Sequence, residues 1–480
     1  MKTQKQQTEN LLMYKNWLDL CQKKSARLAR ASDKISLLRG IVFALAGLFL
    51  FLGYQQKNAV YFFLAVLPGT AFLMLIVYHN RLEAERECLK DSESVLEEYI
   101  ARFDDGWKNF PADGARYLSD DFLEAVDLDL FGKSSLYQYI CTASTTFGQD
   151  QLARLLCLSG GGLRKKSLAE IKCRQQAVLE LSQKTEFCMK FETGARRLRK
   201  MEYEKCRKIM DDFFHALEKE NCFPRVCRAI IWLFPAFTMT CLFLALAGVW
   251  RKVALPAFFA LSFIQLMSAF LGYPWNSRAL APVYQMNREI APYRKLFQLL
   301  ETESFDSPYL NALQRDLSEN GPASVALKEL EEIAGCVCAR HNIYAFLLYN
   351  SLFLYDYHCM ERYGKWKEKN RGSLKRWLLA LGKAEALISL SVISKTRRSC
   401  LPEIIDTDCG EPVFTALDLR HPLLGEAVSV GNDIKLSPGA CVITGSNMSG
   451  KTTFMRSIGV NLALAYAGGF APRRGCGFLL

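Results

Sequence analysis

At roughly 150 residues per domain, a chain of 480 residues has room for two to four domains and for a core that folds without disulfide staples. Half of the residues are apolar and 23% are charged, which excludes a mainly disordered or fibrous chain and admits a membrane protein with large soluble parts. Sixty-one Lys and Arg against 49 Asp and Glu give a net charge of +12, suited to an anionic lipid face or to nucleic acid; charge alone does not choose between them. Seventeen scattered cysteines and five histidines indicate neither a disulfide framework nor a zinc site, and point to a reducing compartment.

Uncharged runs divide the chain. Residues 59–78, AVYFFLAVLPGTAFLMLIVY, are twenty in succession; as a helix they rise about 30 Å, the thickness of a bilayer's hydrocarbon. Residues 40–56 supply seventeen more, extended by Leu37 and Leu38 if Arg39 snorkels to the headgroups, and a tight turn at 55–58 joins the two runs. A second pair follows at 229–250 and 253–273, separated by Arg251 and Lys252. The pattern predicts two transmembrane helical hairpins. The alternative, helices buried in a soluble core, has to hide four such runs from water. Nine Lys and Arg against three acids precede the first run. The positive-inside rule therefore predicts a multi-pass protein of the cell membrane with its N-terminus and soluble domains in the cytoplasm, although Arg251 and Lys252 run against it. The late start of the first run, near residue 40, argues against a cleaved signal peptide.

The remaining segments read as mostly helical. Residues 81–100 are charged and rich in helix formers; 104–119, with Gly106, Pro111 and Gly114, form a break. An acidic and apolar stretch spans 123–140. Helical spacing resumes at 149–158 and 167–183, on either side of the triple glycine Gly160–Gly162. Residues 193–215 carry Arg196, Arg197, Arg199, Lys200, Lys205, Arg207 and Lys208, either a solvated helix face or a contact for nucleic acid or lipid. Helical patterns continue at 287–300, 325–349 and 357–391, where Trp366 and Trp377 read as packing residues. Near Pro402 the texture changes to short β-type runs, such as 412–419 and 440–444. The expected organisation is a basic segment with a membrane hairpin (1–80), a first helical part (81–228), a second hairpin (229–273), a second helical part (274–400) and the start of a further domain (401–480).

The clearest chemical signal lies in that last segment. Gly445-Ser446-Asn447-Met448-Ser449-Gly450-Lys451-Thr452 is a glycine, four residues, then Gly-Lys-Thr, with a strand-like run at 441–444 before it and a helix-like run at 453–466 after it. In that arrangement backbone N–H groups wrap a triphosphate while the helix N-terminus faces its negative charge. Gly445 and Gly450 permit tight turns that a Cβ would hinder. Lys451 reaches the β- and γ-phosphates and the Thr452 hydroxyl enters the magnesium shell, so ATP and Mg2+ are the expected cofactors. Asn447 is placed to donate near the γ-phosphate. Hydrolysis also needs an acidic residue on a further strand, a Walker-B Asp. Only 28 residues follow Thr452, so the expectation is a piece of a longer chain that supports nucleotide binding more than turnover.

The stretch from Thr444 to Arg456 closely resembles the ATPase motif of the MutS DNA mismatch-repair family, and Asn-Met within the phosphate loop makes the resemblance specific. Supporting matches are Arg420-His421-Pro422-Leu423-Leu424, Asn432-Asp433, and the run from Leu464 through Gly468-Gly469-Phe470-Ala471-Pro472. A second patch resembles the family's helical core: Gly132, Ser135-Leu136, Thr145-Thr146-Phe147-Gly148, the helix around Leu152, and Ile171, Arg174-Gln175, Ala177-Val178 and Leu181. The resemblance covers roughly residues 120–480 and implies a mixed fold: a mainly α-helical MutS-like core carrying the two hairpins, then the start of an α/β P-loop ATPase domain. It implies phosphate binding by Gly445, Asn447, Met448, Ser449, Gly450, Lys451, Thr452 and Thr453, with Thr452 on magnesium. It also implies positioning of the base or ribose near His421, for which an ordinary turn or packing histidine is the alternative. ATPase activity of the longer protein and a homodimer joined through the ATPase domains are implied as well. The family's mismatch-reading domain has no counterpart in the first 120 residues, and 229–273 stands where its DNA-gripping levers would be.

The leading expectation is a membrane-anchored MutS-like ATP-binding protein in which nucleotide drives dimerisation or lever movement. A tethered DNA-binding protein of repair or recombination is one alternative, with modest support from the basic run 196–208. An ATP-driven transporter is another, weakened by the absence of charge inside the spans; Gln265, the amide near mid-span, is explained as well by an interhelical hydrogen bond.

Overall fold

Long uncharged runs flanked by helix formers hold their backbone groups together best as continuous helix, and the computed structural model bears this out. It describes residues 2–118, 123–157, 168–200, 202–219, 225–404, 414–425, 428–436, 441–446, 449–472 and 478–479. In chain order the helices are α1 Lys2–Gln56, α2 Ala59–Ala101, α3 Leu123–Asp127, α4 Leu136–Ile140, α5 Thr146–Leu156, α6 Leu168–Gln183, α7 Thr185–Ala195, α8 Tyr203–Glu218, α9 Arg225–Leu246 and α10 Arg251–Thr302. They continue with α11 Pro308–Ser318, α12 Ala323–Ala339, α13 Ile343–Phe353, α14 Tyr355–Thr396 and α15 Lys451–Ala467. The strands are β1 Ser399–Cys400, β2 Phe414–Leu419, β3 Asn432–Leu436, β4 Ala471–Pro472 and β5 Phe478–Leu479. Two units cluster out of this order: Met1–Thr142 with Ala153–Arg196 and Leu387–Leu480, and Ala143–Leu152 with Arg197–Ala386. Each unit is therefore assembled from segments distant in sequence. The triple glycine Gly160–Gly162 lies outside the described residues.

In the first unit, α1 and α2 form an antiparallel hairpin. Lys57 takes a positive φ of 50°, and the Asn58 side chain caps α2 by accepting from the Val60 N–H at 3.0 Å. None of the most apolar window of α1 and 11% of that of α2 is buried; Phe63 and Leu67 are nearly four-fifths exposed. The far halves of the same helices pack: Tyr14 meets Val95, Leu96 and Tyr99, together with Met189 and Val392. Beneath them the buried Arg102 donates to the Tyr139 carbonyl at 2.8 Å and the Cys141 carbonyl at 3.3 Å. The Tyr139 hydroxyl lies 2.9 Å from Thr396 Oγ1 and accepts from Arg397 Nε at 3.0 Å. These bonds tie the end of α2, α4 and the end of α14 together.

The second unit repeats the hairpin with α9 and α10, turning at Trp250 with φ 46°. Their most apolar windows are 22% and 17% buried. Gln265 Nε2 donates across the hairpin to Thr238 Oγ1, the interhelical reading of that amide. Four prolines interrupt the backbone ladder of α10, whose later half buries Leu280, Val283, Ile290, Leu296 and Phe297. In α14, Trp366 and Trp377 are buried as expected, and Trp366 Nε1 donates to the Ala326 carbonyl at 2.7 Å. α14 is also long and apolar enough to cross a membrane, but 83% of its window is buried, which makes it a core helix. Glu385 accepts from the N–H groups of Ser144 and Thr145, at 2.9 and 3.2 Å, and from the Thr145 hydroxyl. Gly382 admits the Phe147 backbone, 2.7 Å from where a Cβ would stand. The Thr-Thr-Phe-Gly run is thus a helix start seated on a buried carboxylate.

Two local expectations need correction. The basic stretch 193–215 is not one helix: α7 ends at Ala195, a 3-10 turn follows at Leu198–Lys200, and α8 begins at Tyr203. Arg196 is spent on an ion pair with Glu98 at 2.7 Å and a hydrogen bond to Ser94, and so is not part of a free basic face. Residues 441–444 are not strand. Among the described strands, β3, β2 and β5 pair with one another antiparallel, leaving 441–444 without a ladder and Val442 exposed.

The buried Glu192 accepts from the Tyr99 hydroxyl at 2.7 Å. Burial pushes its carboxyl up to about 7, against the pull of Lys395. A carboxyl raised above its unfolded value of 4.5 stabilises the fold fully below that pH and loses the contribution as pH rises through about 7. Glu192→Gln, which keeps the acceptor for Tyr99, is expected to remove a loss on the order of 3 kcal/mol between pH 4.5 and 8. Thermal unfolding of the two proteins across that range in one detergent checks it, with the variant showing the flatter profile.

Candidate nucleotide site

The N-terminus of α15 is formed by Gly450 in the left-handed region, φ 85°, a conformation that glycine adopts without strain. Among the described residues no side chain caps this end, and no acid lies in the first turn, so the positive end of the helix dipole is left uncompensated there. Lys451 folds over the loop, donating from Nζ to the carbonyls of Gly445 and, at 2.6 Å, Ser446. A Cβ on Gly445 would stand 2.8 Å from Ser449 Oγ and 3.5 Å from the Lys451 side chain. A side chain there would oblige the Ser449 hydroxyl to shift. Thr452 and Thr453 are exposed at the same end. These residues are compatible with a phosphate chain: a helix N-terminus, a lysine at its start and exposed threonine hydroxyls beside it. Asn447 and Met448 lie outside the described residues. Among the described residues no cluster of His, Cys, Asp and Glu could hold a metal by itself.

Behind the loop, α15 packs on the antiparallel sheet, where Phe414, Ala416 and Leu419 of β2 meet Ala465. Asn461 Nδ2 donates to the Arg420 carbonyl at 3.0 Å, which holds the His421 turn against the helix. His421 is buried, and its Nδ1 accepts from the Leu423 N–H at 3.3 Å. Burial lowers its pKa to about 4, against the pull of Asp129 and with the repulsion of Arg456. The neutral ring thus contributes stability above its ordinary 6.5 that is lost as pH falls through about 4. The structure sets His421 beside Arg456 and Asp129; among the described residues no hydrogen bond joins it to the phosphate loop. Its observed surroundings are those of a turn and packing histidine.

Two contacts that the sequence did not reveal fasten α15 to the helical segments. Arg456 Nη1 pairs with Asp129 Oδ2 at 2.6 Å, and Arg174 Nη2 donates to the Tyr466 carbonyl at 3.0 Å, placing a cation on the negative end of the helix. Asp129 and Arg174 flank or fall within the patch matched to the family core, the one signal that could have singled them out. Between these two contacts Gly459 lies against Leu128, whose Cδ2 is 2.4 Å from where a Cβ would stand. Gly459→Val is expected to destabilise the protein by about 1–3 kcal/mol through overpacking, and Leu128→Ala to recover part of that loss. Chemical denaturation of the two single variants and the double variant measures both.

No protein-family model matches the chain. It is similar to a DNA mismatch repair protein MutS of Acetivibrio thermocellus, 33% identical over 115 residues that make up 22% of this chain and 12% of the relative. It is also similar to MutS protein homolog 5 of Caenorhabditis elegans, 33% identical over 116 residues, 22% of this chain and 8% of the relative. A third relative is a DNA mismatch repair protein MutS of Prochlorococcus marinus, 30% identical over 112 residues, with 22% and 12% covered. The chain spans only about a tenth of the length of these relatives. Three relatives named MutS or MutS homolog, 30–33% identical over about 115 residues, thus support kinship of this chain with the MutS family.

Proposed function

We propose that this chain is a membrane-anchored MutS-like ATP-binding protein whose nucleotide state drives dimerisation through the ATPase segment or movement of the helices packed on it. The observation that carries the reading is the acid-free N-terminus of α15, uncapped among the described residues and entered through Gly450, with Lys451 bonded to carbonyls of its own loop. A triphosphate offers Lys451 a stronger, charge-assisted partner than two neutral carbonyls. Gly445, Asn447, Met448, Ser449, Gly450 and Thr453 would form the cradle, Lys451 would meet the β- and γ-phosphates, and Thr452 would complete the shell of the bound magnesium ion. Magnesium–ATP supplies the charge and, on turnover, the phosphoanhydride bond. His421 supports α15 from behind. The Arg456–Asp129 pair and the Arg174 cap carry any shift of α15 into the segments around α3 and α6.

Two hairpins whose apolar faces are largely unburied support membrane attachment, because long exposed apolar surfaces are unfavourable in water. The N-terminus and the packed helical parts are then cytoplasmic. In this reading residues 1–80 and 229–273 serve as anchors, 81–228 and 274–400 as the helical core, and 401–480 as part of the ATPase domain.

Two relatives are named for DNA mismatch repair, which favours a second reading in which the tethered protein engages DNA through residues such as Lys205, Arg207 and Lys208 of α8. The full protein in detergent should bind magnesium–ATP and dimerise with it, and Lys451→Ala should weaken both by about two orders of magnitude, given loss of a charge-assisted contact. Equilibrium binding of a fluorescent ATP analogue and light scattering measure this. Unchanged binding in the variant would rule the site out. Duplex binding that falls steeply with salt and is lost on neutralising Lys205, Arg207 and Lys208 would establish the DNA reading.

A further inference from the structure

The largest surface left without a role belongs to α13, IYAFLLYNSLF, which carries no charged side chain. Ile343, Tyr344, Leu348, Tyr349 and Phe353 are all exposed, Tyr344 by four-fifths. A contiguous apolar face of this kind on a short surface helix marks a place that something other than water covers. Its opposite side is seated on the second hairpin. The Phe346 ring meets Phe270 at 5.4 Å and Tyr273 at 5.6 Å between centroids. Next to it the Tyr357 hydroxyl donates to the Ser268 carbonyl at 2.9 Å. Residues 268, 270 and 273 all fall within the uncharged run 253–273, so α13 lies at the level of the anchor itself.

The amide of Asn350 and the charges at the base of α13 are taken up within the protein. Asn342 caps the first turn, accepting from the N–H groups of Tyr344 and Ala345 at 3.0 and 3.2 Å. Asn350 is fully buried, donates to the Phe346 carbonyl at 3.0 Å and accepts from the Asp356 N–H at 3.0 Å. Asp356 pairs with Arg340 at 2.8 Å, both side chains hidden. The Arg340 guanidinium also donates to Ser277 Oγ at 3.1 Å and lies 4.9 Å from the Tyr273 ring centroid. A helix facing water has no need to bury its amide and both charges at its base; one facing hydrocarbon does. Eleven residues rise only about 16 Å, too short to cross a bilayer.

We propose that α13 is a re-entrant membrane helix that dips into the bilayer beside α9 and α10, its outer face covered by lipid acyl chains. This rests on the reading of α9 and α10 as a membrane hairpin. The apolar surface of α13 continues that of the hairpin through Phe270 and Tyr273, and it is this continuity that selects lipid as the occupant.

The test is photolabelling of the full chain in phosphatidylcholine liposomes doped with a phosphatidylcholine that carries a diazirine near the end of one acyl chain, with adducts mapped by mass spectrometry. Lipid adducts are expected on residues 343–353 as well as on 253–273, and not on 308–318. Leu348→Glu should lower labelling of 343–353 severalfold and leave 253–273 unchanged; if that variant does not insert, the wild-type map still decides. Adducts on 253–273 with none on 343–353 would overturn the proposal and leave the hairpin standing. Adducts on neither would overturn both. Links between copies of the protein through 343–353, in place of lipid adducts, would overturn it in favour of self-association.

Discussion

A helix such as α2 runs continuously from Ala59 to Ala101, its backbone ladder interrupted at Pro68, so its two ends are mechanically coupled. That constraint organises each unit. The outward half of α2 is apolar and unburied, while the inward half ends among Tyr99, Arg102 and Glu192, side chains fixed by hydrogen bonds in a dry interior. In α10 the same continuity runs from the hairpin turn to Leu300, with prolines as the places where the ladder is already broken and bending is cheapest. Whatever holds the apolar halves therefore acts directly on the packed ones, without a flexible linker in between.

The segment around α15 obeys a complementary rule. Its leading end, among the described residues, has no acid and no cap, whereas its flanks are held at several points: by the sheet through Ala465, the His421 turn through Asn461, and the helical segments through Arg456 and Arg174. A ligand at the open end of such a helix would be felt through its flanks. The arrangement suits a conformational output better than an isolated catalytic one.

Much of this was legible because hydrophobic length and glycine placement are local signals. The uncharged runs gave both hairpins and the first turn, while the second turn falls at 247–250, inside a run, with Arg251 and Lys252 opening α10; the glycine-lysine-threonine spacing located the start of α15 to within two residues. What escaped were features decided by distant partners. The Arg196 charge reads as a free basic contact until Glu98, almost a hundred residues away, is seen beside it. Residues 441–444 have β-type composition, but a strand exists only where neighbours supply a ladder, and the described strands supply theirs to one another. α13 was hidden inside a longer helical pattern, because its break at Asn342 depends on a cap that composition does not announce. Asp129 and Arg456 are more than three hundred positions apart, and no periodicity could have paired them.

The close seating of Gly459 on Leu128 restricts which motions α15 can make. A smooth cylinder can spin about its axis, but here a spin would bring the bulkier neighbours Ile458 and Val460 into the gap that only a hydrogen atom now fills. Displacement of the helix by a nucleotide would therefore be translational, a stroke along or away from its seat, and Leu128 with the chain around it would be carried along rather than slipping past.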